Sequence, residues 1–299
     1  MNIPMHGFLN LNKPTGMTSH DVVASVRRMV GRGIKVGHAG TLDPAATGVL
    51  PIALGQATRL IEYLSDAHKG YRGLVRLGIT TTTDDAEGDI LSQQPVPPLT
   101  DTEIEAAVAP LRGAIMQVPP HYSALHHQGR RLYDLARAGE TVTLPPRPVM
   151  IHHLAWHRSR EDTLSLEVTC GKGTYIRALA RDLGASLGCG AHLANLERTF
   201  VGHFTLANAV PLSKLRDNPD LLTAALLPPE TALADWTAII VEDEQAQRIA
   251  HGMPVTLPPM PDMYLRAHCS DQSLLALLKR QEADHHVWQP VKVFRPGPD

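Results

Sequence analysis

The chain has 299 residues, 43% hydrophobic and 4% aromatic, with a formal net charge of −2; that length predicts two domains, and the near-neutral balance excludes a uniformly basic slab, so any nucleic acid must be held by a local patch. The N-terminus lacks a basic-then-apolar leader and no stretch reaches the roughly 20 apolar residues that span a bilayer, so no membrane is expected and the expected compartment is the cytoplasm. Cys170, Cys189 and Cys269 are widely spread and form no CxxC pair, which suits a reducing compartment and argues against a disulfide framework or a structural zinc.

Residues 7–11 read as a short strand and 12–16 as a turn. Thr18 or Ser19 then caps a helix to about Val30, with Val22, Val23, Val26, Met29 and Val30 on one face and Gly31 as its stop. Residues 37–51 hold three Gly, two Pro and a single carboxylate, Asp43. That density predicts an irregular path, and Pro44 biases Asp43 toward extended backbone. A competing reading makes Asp43 the N-cap of a short helix beginning at Pro44 and stopped by Gly48 and Pro51. Residues 55–64 read as helical, with Leu60, Ile61 and Leu64 inward. Residues 71–78 read as a strand, with Tyr71, Gly73, Val75 and Leu77 on one face, and residues 80–89 as a polar, acidic loop.

A proline-rich link at 95–99 leads to Thr100 and Glu103, a capping box opening a helix that faces Ile104, Val108 and Leu111 inward. Over residues 118–148 basic and aromatic side chains interleave: His121, Tyr122, Arg130, Arg131, Tyr133 and Arg137. That pattern suits a clamp on RNA; the plainer reading is an amphipathic hairpin or helix with a solvated basic face. Residues 151–156 and 163–170 read as paired strands, with Leu164, Leu166, Val168 and Cys170 inward. His153 and His157 have i,i+4 spacing but lie on a strand without the HExxH glutamate, so no metal site is expected there. Residues 171–174 join a strand to a helix starting near Tyr175. The phosphate-loop reading of that turn fails on spacing, because Leu166 stands where a glycine is needed. Arg177 in the first turn is a cation at the unfavourable end of a helix, which predicts a compensating buried carboxylate. Pro228-Pro229 marks a boundary. Residues 233–299 carry six basic and nine acidic side chains, with candidate strands at 238–241, 254–257, 274–279 and 287–294.

Several stretches resemble TruB-type tRNA pseudouridine-55 synthases, in the same order along the chain. They are Lys13-Pro14-x-Gly16; the run from Gly37 through His38 and Asp43-Pro44 to Pro51; Lys69-x-Tyr71 with Leu77-Gly78 and Asp85-x-x-Gly88; Gly173-Thr174-Tyr175-Ile176-Arg177 through Gly184; and Ala191-His192-Leu193-x-x-Leu196-x-Arg198. Two positions depart from the family: His126 replaces a usual Lys, and Glu197 precedes Arg198 where two basic residues are common. The resemblance implies an α+β fold. Residues 1–232 would form a mixed, mainly antiparallel catalytic sheet domain with an RNA-binding thumb inserted at about 118–148. Residues 233–299, which include His251-Gly252-Met253-Pro254-Val255, would form a small PUA-like β-barrel, either RNA-binding or merely stabilising.

The implied activity is isomerisation of uridine-55 in the T arm of tRNA to pseudouridine by base flipping. Asp43 would be the catalytic carboxylate, whether it attacks C1', attacks C6 or removes a ribose proton. Arg177 would pair with it, Tyr71 would stack on the base, Tyr175 and Leu196 would line the base pocket, and His38 would fill the gap left by the flipped nucleotide. The implied enzyme uses no cofactor or metal and acts as a monomer on tRNA, without a guide RNA or obligate protein partner. The rivals are a tRNA-binding chaperone with vestigial chemistry and a synthase for a different RNA.

Overall fold

A computed structural model describes residues 5–120, 122, 126–127, 130–131, 144–218 and 220–294. Strand β1 (Gly7–Lys13) leads to α1 (Ser19–Val30), where Thr18 and Asp21 form a reciprocal capping box and Gly31 ends the helix at φ +82°. β2 (Val36–His38) and β3 (Thr47–Leu54) follow, then a 3₁₀ turn at Gly55–Leu60 and α2 (Ile61–Asp66). The glycine- and proline-rich stretch is therefore irregular only from 39 to 46, and the short-helix alternative fails. Pro51 is accommodated in β3 opposite Asn10 of β1, where its carbonyl still accepts the Ala39 N–H at 2.9 Å. Gly48 has φ +103°, and a Cβ there would lie 2.2 Å from the Arg198 carbonyl oxygen, so the close approach of two strands requires glycine.

β4 (Lys69–Leu77) carries Tyr71 and alternates as expected, burying Val75 and Leu77. The predicted acidic loop is bracketed by a two-stranded ribbon of β5 (Ile79–Thr81) and β6 (Ile90–Gln93). α3 (Asp101–Val108) has the expected Thr100–Glu103 capping box, and β7 (Gly113–Gln117) follows. Within the expected thumb, the backbone of β8 (His126–His127) pairs antiparallel with β9 (Arg130–Arg131). Most of the remaining clamp residues, including His121, Tyr133 and Arg137, lie outside the described residues. β10 (Arg147–Arg160) and β11 (Thr163–Cys170) form an antiparallel pair, and α4 (Ile176–Ser186) leads to β12 (Ala191–Val201). β13 (Phe204–Thr205), β14 (Val210–Pro211), α5 (Leu212–Asp217), α6 (Leu221–Ala224) and β15 (Leu226–Leu227) close this part of the chain.

The main sheet runs β14-β1-β3-β12-β4-β11-β10-β7, with β2, β13 and β15 attached to its members. It is mixed: β1 with β14 and β3 with β12 are parallel, and the other pairs are antiparallel. Leu164, Leu166, Val168 and Cys170 point into the core as expected, packing with Ile176, Leu179 and Leu183 of α4.

A second sheet, ordered β16-β18-β19-β20-β17, is built from β16 (Ala238–Ile240), β17 (Val255–Thr256), β18 (Tyr264–His268), β19 (Leu274–Arg280) and β20 (Val287–Val293), with α7 (Asp243–Ala250) against it. Two of these elements, α7 and β18, escaped the sequence reading. α7 is eight residues long and buries only Ile249, too little for a visible period. β18 turns only Leu265 and Ala267 inward. Leu277 and Phe294 join Phe8, Ala57, Leu60 and Leu233 in one apolar cluster, so the two sheets share packing. The architecture is α+β. Among the described residues no helix is long and apolar enough to cross a membrane.

Candidate active site

The Asp43 loop is held from several directions. The Lys13 Nζ donates to the carbonyls of Pro14 (2.9 Å), Met17 (2.6 Å) and Pro44 (3.1 Å). Burial lowers its pKa from 10.5 to about 8, against the upward pull of the nearby Asp43 carboxylate. Ser19 Oγ, in the first turn of α1, donates to the Leu42 carbonyl at 3.1 Å and accepts the Leu42 N–H at 2.8 Å. From β12, Arg198 donates to the carbonyls of Val49 (2.7 Å), Gly40 (3.0 Å) and Thr41 (3.3 Å). Leu42 and Ala46 are buried on either side, so the short loop is tied down while the Asp43 side chain, 39% exposed, projects from it.

It projects into a pocket of about 380 Å³ lined by Tyr71, Tyr175, Arg177, Leu196 and Arg198 together with Asp43 itself. That volume lies within the usual range for small-molecule sites. Arg177 reaches it from the first turn of α4, with a side chain only 7% exposed, and its Nε lies 3.1 Å from Asp43 Oδ2. The guanidinium is used on every side: Nη1 donates to Asp85 Oδ2 (3.2 Å) and the Thr83 carbonyl (3.0 Å), and Nη2 to the Tyr122 carbonyl (2.9 Å). The compensating carboxylate predicted for Arg177 is thus present, and there are two of them. Burial nevertheless pushes the Asp43 carboxyl above its ordinary value; Arg177 pulls it down, Asp85 pushes it up and Lys13 pulls it down, and the upward causes prevail.

Tyr71 on β4 stands opposite Arg198 on β12. Burial raises its phenol, against the cationic charge of Arg198 and a hydrogen bond from it. Tyr175, just before α4, donates its backbone N–H to Gln117 Oε1 at 2.9 Å and accepts from Gln117 Nε2 at 3.1 Å, which fixes the turn into the helix. Five of the six expected site residues therefore meet in one pocket. The sixth, His38, does not line it: on β2 it packs edge-on to His20 with ring centroids 5.3 Å apart. Burial, with electrostatic repulsion from the His20 and Arg198 side chains, lowers its pKa against a hydrogen bond to the Gly40 backbone.

Two residues missed as site members belong to this constellation. Asp85 is singled out by its partners, since it accepts from Thr83 Oγ1 (2.5 Å) and the Glu87 N–H (3.0 Å) besides Arg177. In sequence nothing but the Asp-x-x-Gly spacing separates it from Asp84, which pairs instead with Arg181 at 2.9 Å. Arg198, noted in the sequence only as part of a family motif preceded by Glu197, is 1% exposed.

Two family models match the chain: "TruB family pseudouridylate synthase (N terminal domain)" over residues 27–176 and "tRNA pseudouridylate synthase B C-terminal domain" over residues 177–234. A curated relative from Dehalococcoides mccartyi, named tRNA pseudouridine synthase B, is 42% identical over 292 residues, 97% of each chain. Relatives of the same name come from Moorella thermoacetica, 43% identical over 97% of this chain and 99% of the other, and from Gloeobacter violaceus, 47% identical over 84% and 87%. Among solved structures, a chain of a Cbf5-Nop10-Gar1 complex matches with a TM-score of 0.75 at 26% identity, covering 98% of this chain and 86% of that one.

Proposed function

The chain belongs to the TruB family of pseudouridylate synthases, and from that premise we propose that it isomerises uridine-55 in the T arm of tRNA to pseudouridine. The observation that carries this reading is the 3.1 Å ion pair of Asp43 and Arg177 on the wall of a base-sized pocket beside Tyr71. The reaction breaks the bond from ribose C1' to uracil N1, turns the base, and joins C1' to C5. C5 loses its proton and N1 gains one, so the balance is redox-neutral and calls for no cofactor.

A uridine stacked in folded RNA must leave its stack to reach such a pocket. Asp43 supplies the carboxylate that starts the exchange, and it acts ionised. Arg177 holds it in position and offsets the burial that would otherwise keep it protonated. Tyr71 stacks on the base near C5, while Tyr175 and Leu196 form the remaining walls. His38, beside the root of the loop, occupies the space the nucleotide vacates. Residues 1–232 serve as the catalytic domain, with 118–148 as the thumb, and residues 233–299 as a PUA-like unit. The enzyme works on tRNA as a monomer in the cytoplasm, without a guide RNA or obligate protein partner.

The test is tritium release from a T-arm RNA labelled at uracil C5. Wild type is expected to release label, and Asp43→Asn to lose about 10⁴-fold or more in rate, as removal of a nucleophile typically does, while still binding the RNA. Turnover by Asp43→Asn at the wild-type rate would sink the assignment. Bound RNA with no release by either protein would favour a chaperone or a different target.

A further inference from the structure

A second cavity, of about 420 Å³, opens on the far side of the glycine turn that closes the catalytic pocket, and Gly171 and Lys172 line both. The ridge between them is largely bare backbone: a Cβ on Gly173 would meet nothing within 4 Å. The floor of the second cavity is the outer face of β10, where exposed Pro148, Met150 and His152 alternate with buried Val149 and Ile151. His68, just before β4, lies against His152 with ring centroids 4.0 Å apart and planes tilted by 36°. At the rim, the 72% exposed Lys172 places its Nζ 2.7 Å from Oδ1 of the equally open Asp66. An exposed pair of this kind holds its partners weakly. Lys69, although adjacent, turns its ammonium inward to the carbonyls of Ser65 and Ala67. Asp66 is the one acidic side chain lining the cleft among the described residues.

Flat rings over an apolar floor, beside a weakly held ammonium, make a platform for a base and its phosphate. We propose that this cleft is a second nucleotide subsite. A nucleotide next to the flipped uridine stacks its base on the His68–His152 pair above Met150, and its phosphate draws Lys172 away from Asp66. The strand crosses the Gly171–Gly173 ridge, so seating this nucleotide positions the target base over Asp43. The inference rests on the proposed RNA reading and adds to it a site and a contact set.

The experiment measures binding of a T-arm stem-loop RNA across a salt series, alongside KM and kcat for tritium release, using full-length chains. Lys172→Ala should flatten the slope of log K against log salt by about 0.7, the value for one lost phosphate contact on a single strand. His152→Ala should weaken binding about tenfold, the scale of one lost stacking partner, with the loss falling on KM more than on kcat. Asp66→Asn should tighten binding, because Lys172 loses its competitor. A methylphosphonate scan of the phosphates flanking the target uridine should find one position whose loss does not add to that of Lys172→Ala. Wild-type release together with unchanged slopes and affinities in both alanine variants, or additive losses at every scanned phosphate, overturns the subsite. Failure of the wild type to release tritium overturns the functional reading itself, and the subsite with it.

Discussion

The eleven-stranded sheet and the five-stranded sheet are filled with different chemistry. Around the first, Lys13, Lys69, Arg177 and Arg198 are all at most 9% exposed. In the second, among the described residues, no charged side chain is buried; Leu265, Leu275, Leu277, Leu278 and Trp288 fill the space, and the Trp288 indole N–H has no partner. A buried cation is expensive unless it is paired. The four cations solve this differently. Arg177 takes two carboxylates, whereas Lys13 and Lys69 take only carbonyls, and Arg198 takes carbonyls and the Tyr71 phenol. Carbonyl partners satisfy the donors without cancelling the charge. The Asp43 pocket therefore has cationic side chains on several sides, which under the proposed function would serve a carboxylate that must ionise and a polyanion that must approach. The contrast suggests that the first sheet gives up stability for chemistry while the second supplies packing.

Four substitutions can break or sharpen that contrast. Arg177→Lys keeps the charge but cannot reproduce the fork that spans Asp43, Asp85 and two carbonyls. A small misplacement of Asp43 follows, and single-turnover rates should fall about 10²-fold or more; a near-wild-type rate would show that charge alone suffices. Tyr71→Ala should be more damaging than Tyr71→Phe, since the phenylalanine keeps the stacking ring and loses only the bond to Arg198; equal rates in the two variants would remove stacking from the role of Tyr71. In the other sheet, Leu278→Ala should lower unfolding stability by about 2–5 kcal/mol, read by denaturant titration, and leave the single-turnover rate of the folded protein unchanged. A rate loss comparable to that of Arg177→Lys would mean that the sheets are not functionally separate.

The smallest effect concerns pH. In the proposed role Asp43 acts ionised, and because its pKa is raised, activity should climb with pH along a limb lying above the ordinary carboxylate range. Asp85 is one of the causes that raise it. Asp85→Asn removes that repulsion, favours the ionised form, and should move the limb to lower pH. A pH–rate profile under single-turnover conditions reads the shift, and movement to higher pH would show that Asp85 acts mainly by steadying Arg177.

Local signals in the sequence were reliable where a short rule suffices. The Thr18 and Thr100 caps, the Gly31 stop and the alternation of β4 and β11 all appear where spacing places them, because caps and two-residue alternation are settled by neighbours in the chain. α7 and β18 were not legible, since each buries only one or two side chains and owes its place to the sheet beside it. Within the site, Asp43 was marked by its glycines and prolines, and Arg177 by sitting at the wrong end of a helix for a cation.

The chain by itself determined that the backbone breaks around Asp43, the strand that carries Tyr71, and the demand of Arg177 for a carboxylate, each a consequence of backbone preference or local electrostatics; whether that break was a loop or a short capped helix was left to the structure. Only the tertiary structure decided which carboxylates answer that demand, that Asp85 shares Arg177 with Asp43, that Arg198 is buried under the loop, and that His38 stands outside the pocket. The physical reason is range. Backbone conformation is governed by the nearest few residues, whereas burial and charge pairing here join positions 92 and 157 residues apart, as in Arg177 with Asp85 and Arg198 with Thr41.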